Sequence, residues 1–171
     1  MKKILVIVII ILLSGCKNIE DSIIKTNLNE GYDIITVGDT HVDTGCVITI
    51  GNEKFNMEVI RSSVNTEEIG DYIISYGYYD GETTHYCLRY VKVIDDISPI
   101  ASLNPGVDTV NVGKIFIDSG ISYSDNYDLE LDVEIDNDVD INTPGRYIIT
   151  YTVVDDSLNF VEITRIVNVI N

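Results

Sequence analysis

Along residues 145–155, GRYIITYTVVD, the positions Tyr147, Ile149, Tyr151 and Val153 alternate with Ile148, Thr150, Thr152 and Val154. A period of two sends successive side chains to opposite faces, so the segment predicts a strand with one aromatic and aliphatic face. Pro144-Gly145 supplies the turn that leads into it. Residues 155–159, DDSLN, predict a hairpin loop, and Glu162 to Val169 returns as the next strand. The same pattern stands earlier in the chain. Residues 70–80, GDYIISYGYYD, carry Gly, Tyr, Ile, Ile, Tyr and Asp at the same six places, 75 residues upstream.

The repeat extends beyond that fragment. At the same offset Val37-Gly38 meets Val112-Gly113, and Asp43-Thr44-Gly45 meets Asp118-Ser119-Gly120. After one inserted residue, Arg89-Tyr90-Val91-Lys92-Val93 meets Arg165-Ile166-Val167-Asn168-Val169. A period this long holds several strands and indicates tandem domains, not a solenoid turn. The seam falls at Asp95-Asp96-Ile97-Ser98-Pro99, where charge, Ser and Pro interrupt the alternation. Modules are thus expected at residues 31–95 and 96–171. Ile, Val, Thr and Tyr dominate, and no stretch beyond the N-terminal apolar run keeps a helical period, so the fold class is all-β.

The Gly-x-Tyr at the start of each repeated strand resembles the tyrosine corner of Ig-type sandwiches, whose hydroxyl bonds back to the chain at the same corner. Two residues on, where antibody domains place an inter-sheet cysteine, this chain has Ile74 and Ile149. The second module also carries Ile97-Ser98-Pro99-Ile100, Val110-Asn111-Val112-Gly113, Ile117-Asp118-Ser119-Gly120, Ser124-Asp125-Asn126-Tyr127-Asp128, Asn142-Thr143-Pro144-Gly145-Arg146-Tyr147 and Val154-Asp155-Asp156-Ser157-Leu158-Asn159, closing with Arg165 to Val169. In that order they resemble the bacterial Ig-like domain found in tandem on surface proteins and at the ends of some pesticidal crystal toxins. The resemblance implies two tandem Ig-like β-sandwiches. It departs at Leu158, where the family usually has Gly before Asn, which leaves the hairpin's turn type open. The first module keeps fewer landmarks and has Asp80-Gly81, a hairpin signal of its own.

The chain opens with a basic pair, Lys2-Lys3, and an unbroken apolar run of ten residues, Ile4 to Leu13. As a helix that run is about 15 Å long against a bilayer core of roughly 30 Å, the length of a signal-peptide core and short for a span. Leu13-Ser14-Gly15-Cys16 follows and resembles the lipobox of bacterial lipoproteins, in which cleavage precedes a lipidated cysteine. That resemblance implies a signal peptide over residues 1–15, a lipid on Cys16, a polar tether over residues 16–30 and a location on the extracytoplasmic side of the cell membrane. Removing residues 1–15 takes away two lysines and no acids, moving the net charge from −17 to −19. A surface so acidic repels nucleic acid, whose binding requires cations against phosphate.

Candidate chemistry is sparse. Cys46 and Cys87 stand where the second module has Ile121 and Ile163, so they are expected in the core, as a disulfide or as two buried thiols. His41 and His85 lie near them in sequence, which raises a Cys-His nucleophile. No Gly-rich nucleophile turn surrounds either cysteine, and no catalytic residue is assigned. Asp136, Asp138 and Asp140 mimic the first places of an EF-hand loop, but Ile141 and Tyr147 stand where Gly and Glu are needed. The alternation of Asp132, Glu134 and Asp136 against Val133 and Ile135 instead predicts one solvated and one buried face. No cofactor is expected. Were calcium to bind, Asp125 and Asp128 are the residues that would hold it. Tyr76, Tyr78, Tyr79 and Tyr86 form an aromatic hairpin that reads either as core and edge packing or as an exposed surface suited to a protein or cell-wall glycan partner. The expected function is a non-enzymatic, membrane-anchored surface lipoprotein for binding, adhesion or spacing. A small inhibitor or exclusion lipoprotein with one protein partner is the alternative, and a small hydrolase using His41 or His85 the more distant one.

Overall fold

The computed structural model describes residues 24–171. The stretch read as a signal peptide, and Cys16 with it, lie outside the described residues. Those described form thirteen strands and no helix. The first seven are β1 (Ile24–Leu28), β2 (Ile34–Thr36), β3 (Cys46–Ile50), β4 (Glu53–Asn56), β5 (Glu58–Ser62), β6 (Gly70–Tyr79) and β7 (Thr84–Ile94). They make two sheets, in order β1-β3-β4 and β2-β7-β6-β5. The remaining six are β8 (Ile100–Leu103), β9 (Thr109–Asn111), β10 (Ile121–Ser124), β11 (Asp132–Asn137), β12 (Gly145–Val154) and β13 (Phe160–Ile170). These pair as β10-β8 and β11-β12-β13-β9. Each unit buries the inner faces of both its sheets in one core, so the chain is an all-β protein of Ig-like sandwich type.

The repeat is kept down to the register. Ile34 pairs with Lys92 in a parallel ladder, and Thr109 pairs with Asn168 in the same way. Gly70 faces Val93, and Gly145 faces Val169. At the other end of the hairpin Tyr79 faces Thr84 but Val154 faces Phe160, so the inserted residue of the second copy sits in the hairpin loop. There it leaves the ladder intact, whereas within a strand it would turn one face over.

Alternation sets the core of each unit. In the first, Ile74, Tyr76, Cys87 and Val91 point inward against Ile35, Cys46, Ile48 and Met57. In the second, Ile149, Tyr151 and Val167 meet Leu103, Val110, Phe116, Ile121 and Ile163. The Gly-x-Tyr corner appears in both copies. Tyr72 donates its hydroxyl to the Glu68 carbonyl and Tyr147 to the Thr143 carbonyl, each at 2.8 Å. Each ring lies over the glycine two residues before it, so a Cβ at Gly145 would come within 3.4 Å of the Tyr147 ring.

Three expectations change. Residues 24–28 fall in the stretch read as tether, yet they form β1, paired to β3 from Ile24↔Ile50 to Leu28↔Cys46. Its side chains are all exposed, so backbone pairing holds it and no buried face marks it in the sequence. Tyr76 is not on a surface: its strand alternation points it inward and it is fully buried. Ile135 is 54% exposed, because β11 pairs only with β12 and forms the sheet's edge.

Candidate functional site

The most elaborate polar groups occur twice, once in each core. Arg165 is buried, and its Nη1 donates to Asp108 at 2.7 Å while Nη2 donates to the carbonyls of Asn104 and Gly120. Tyr151 donates its hydroxyl to Asp118 at 2.6 Å, and the Arg165 Nε lies 3.2 Å from the same carboxylate. Arg89 repeats this with Asp33, the carbonyls of Asn29 and Gly45, Tyr76 and Asp43. A side chain at Gly31 or Gly106 would strike Thr44 or Ser119 beside the guanidinium, so glycine is required at both places.

Burial opposes the arginine charge, but hydrogen bonds to Asp33 and Asp108, and to the tyrosines, outweigh it and raise both pKa values. Burial pushes the Tyr76 hydroxyl up to about 12, and its bond to Asp43 adds to that while Arg89 works against it. These networks hold loops together through internal partners, with the Arg165 Nε making an ion-pair contact to Asp118 but no hydrogen bond. A signal for them stands in the sequence, where Asn-x-Gly-x-Asp recurs at Asn29-Gly31-Asp33 and Asn104-Gly106-Asp108.

A different arrangement occurs where the linker after β7 meets two loops of the second unit. Asp95 follows β7, Asp125 and Asp128 lie in the loop after β10, and Asp155 opens the β12–β13 hairpin loop. Each offers a carboxylate oxygen, and these four oxygens lie within 4.8 Å of one another. Asp95 is only 7% exposed and Asp155 is also buried. Turn formation explains one side of each carboxylate. Asp125 Oδ2 accepts from the N–H of Tyr127 and Asp128, Asp155 accepts from Asn159, and Asp128 Oδ2 accepts from the Asp156 N–H. Asp95 Oδ1 accepts from the Ile97 N–H. The other oxygens, Asp95 Oδ2 and Asp125 Oδ1, are buried without a protein partner. None of the five ion pairs among the described residues involves this cluster. Burial pushes the Asp128 carboxyl up, relieved in part by the Asp156 N–H and reinforced by the charges of Asp156, Asp155 and Asp125. The structure therefore brings Asp125 and Asp128 together and adds Asp95 and Asp155, which sequence reading missed because they lie 30 residues to either side.

The tyrosine hairpin divides by strand parity. Tyr76 belongs to the core, and Tyr78 is half-buried, stacked on Phe55 with ring centroids 5.1 Å apart. Tyr79 and Tyr86 are exposed, at 65% and 62%. Tyr86 continues into an outward row on β7 with Leu88 and Tyr90, and across the ladder Tyr90 faces Ile73 on β6. Gly77, opposite Tyr86, is covered by the exposed Ile60 of β5. The outer face of this sheet is thus aromatic and aliphatic over three strands.

His85 Nε2 lies 2.6 Å from Asp80 Oδ2 in the β6–β7 loop. That bond, with those from Thr83 and Glu82, holds the Asp80 carboxyl below the usual carboxylate range. Cys46 and Cys87 are joined as a disulfide, so neither thiol is available to a histidine as nucleophile. In the second unit Ile121 and Ile163 fill the equivalent places in the core. No curated protein matches the chain. Residues 107–169, most of the second unit, match the family described as bacterial surface protein, Ig-like domain.

Proposed function

We propose that the chain is a non-enzymatic surface lipoprotein, held to the outer side of a cell membrane through Cys16, whose first module binds a protein partner. The family matched by residues 107–169 supports a surface-associated module. The observation that carries binding is the outward row of Tyr86, Leu88 and Tyr90 with Ile73 and Ile60 beside it. Aromatic side chains supply most of the energy of protein interfaces, and contiguous exposed apolar surface marks interaction sites. At the places equivalent to Tyr86, Leu88 and Tyr90 the second module carries Glu162, Thr164 and Ile166, a more polar set, with Phe160 and Ile170 exposed at the two ends of the strand.

The test is a pull-down from envelope extract and from purified cell wall with the soluble chain beginning at residue 17. One defined protein should be retained, and Y86S, L88S and Y90S combined should abolish retention while leaving the fold unchanged by circular dichroism. Retention by purified wall alone would assign a glycan ligand to this face. Retention of nothing in either arm would leave a spacer, and the binding reading would be wrong. Anchoring has its own measurement: the full chain should fractionate with membranes and Cys16→Ala should not.

A further inference from the structure

We propose that Asp95, Asp125, Asp128 and Asp155 form a calcium site that fastens the inter-module linker to two loops of the second module. The donors are all carboxylate oxygens, the set preferred by hard divalent cations, with no nitrogen or sulfur to favour a transition metal. Their spread is that of a single coordination sphere. Two oxygens on opposite sides of a calcium ion with bonds of about 2.4 Å are about 4.8 Å apart, and the four oxygens here lie within 4.8 Å of one another. Magnesium, with bonds of about 2.1 Å and a strong demand for octahedral geometry, suits a tighter set that keeps more waters.

A cluster of acids is by itself an ordinary feature of so acidic a chain. Burial and unused oxygens distinguish this one. Asp95 is more than nine-tenths buried, its Oδ2 is buried without a partner, and so is Asp125 Oδ1, while each of the two carboxylates places an oxygen within 4.8 Å of the others in the cluster. A buried carboxylate oxygen with neither a donor nor a counter-charge is costly, and the four neighbouring carboxylates repel one another. The turns need only one oxygen from each of Asp95 and Asp125, so the turns do not account for the others. A bound cation supplies the missing partner of Asp95 Oδ2 and Asp125 Oδ1 and offsets the charge of all four carboxylates. The amides of Asn126 and Asn159 border the site and orient it: Asn126 donates to Asp95 Oδ1, and Asn159 donates to Asp155 Oδ2 and to the Asp95 carbonyl. Asp95 follows β7 directly, so the ion would draw the end of the first module's last strand onto the second module.

The experiment is calorimetric titration of calcium and magnesium into the chelator-treated soluble chain, with melting curves in chelator and in millimolar calcium. One calcium per chain is expected, with a sub-millimolar Kd typical of extracellular modules, and magnesium weaker by about tenfold or more. Melting should rise by several degrees with calcium. D95N and D125N should each weaken calcium by about tenfold or more, because ligand charge count sets affinity. In chelator the same variants should melt at or above the unsubstituted chain, since each removes a repelling charge, and calcium should no longer raise them. This crossing separates ligation from a structural role, which would lower melting in both conditions. D136N, on the exposed edge strand, should bind as the parent does. The proposal is overturned by no saturable heat at millimolar calcium, by equal affinity for magnesium, or by undiminished binding in D95N and D125N.

Discussion

The guanidinium of Arg165 and the carboxylate of Asp118 meet in the core of the second module, 3.2 Å apart, and Tyr151 closes the group by donating to the same carboxylate. Arg89, Asp43 and Tyr76 form the corresponding group in the first module. Modules of this size bury only about 60% of their chain surface, so apolar burial alone leaves them marginal. The arginine adds cross-links that apolar contacts do not provide. Through the carbonyls of Asn104 and Gly120 it ties the end of β8 to the start of β10, with Asp108 before β9 held by the same side chain.

Arg165→Met keeps much of the aliphatic volume but leaves the partly buried Asp118 without its cation. Breaking one side of a fully buried pair costs about 3–5 kcal/mol. Because Asp118 and Asp108 stay in reach of water, denaturant unfolding of the soluble chain should show a loss of about 2–3 kcal/mol. Asp118→Asn retains an acceptor for Tyr151 and should cost about 1–3 kcal/mol. A loss under about 1 kcal/mol for Arg165→Met would mean the network is dispensable.

Tyr76 supplies a pH dependence at the alkaline end. Its hydroxyl is raised from the ordinary value of 10.0 to about 12, chiefly by burial and then by its bond to Asp43. The folded chain therefore keeps a proton that the unfolded chain releases first. The resulting stability is fully present below pH 10 and is lost as pH rises toward 12. Tyr151 is shifted the same way for the same reasons. Ultraviolet titration should show a late-ionising tyrosine fraction, diminished in Tyr76→Phe, and a fall in melting temperature above pH 10 that Tyr76→Phe reduces. Full ionisation of all tyrosines near pH 10 in the folded chain would contradict the buried geometry.

The all-β, Ig-like fold was legible in the sequence because alternation, the corner tyrosine and the turn residues are local signals. Tyr147 and Ile149 announce their own strand, and Gly145 its turn. What the sequence hid depends on partners far along the chain. β1 has no buried face, so only pairing with β3 defines it. Tyr76 resembled its neighbours Tyr78 and Tyr79 in type, and only the phase of β6 separates core from surface. Asp95 and Asp155 read as ordinary turn acids. Folding brings them to Asp125 from 30 residues to either side.

The disulfide should act on one module only. Cys46 and Cys87 close a loop of 41 residues, for which chain entropy predicts about 4 kcal/mol. The second module fills the equivalent core positions with Ile121 and Ile163 and has no bond to lose. Reduction, or Cys46→Ala with Cys87→Ala, should therefore bring forward one phase of unfolding and leave the other in place. Intact mass with and without reductant establishes the bond itself. A parallel shift of both phases would mean that the modules unfold as one unit.

Leu158 is the one residue other than glycine with a positive φ among the described residues, at 70°. It lies in the β12–β13 loop, where the Leu158 N–H donates to the Asp155 carbonyl and the Asp155 N–H to the Asn159 carbonyl. The turn is thus kept although its residue is a poor one for it. A left-handed conformation costs a side-chain-bearing residue about 1–2 kcal/mol relative to glycine. Leu158 is 79% exposed, so little burial is lost on replacing it. Leu158→Gly should therefore stabilise the second module, by about 1 kcal/mol after the greater unfolded-state entropy of glycine is set against the strain. Leu158→Ala isolates the side chain from the backbone: it removes the exposed leucine but keeps the strain, and should leave stability nearly unchanged. If Gly and Ala prove equivalent, strain at this turn is absent and the loop adopts another conformation in solution.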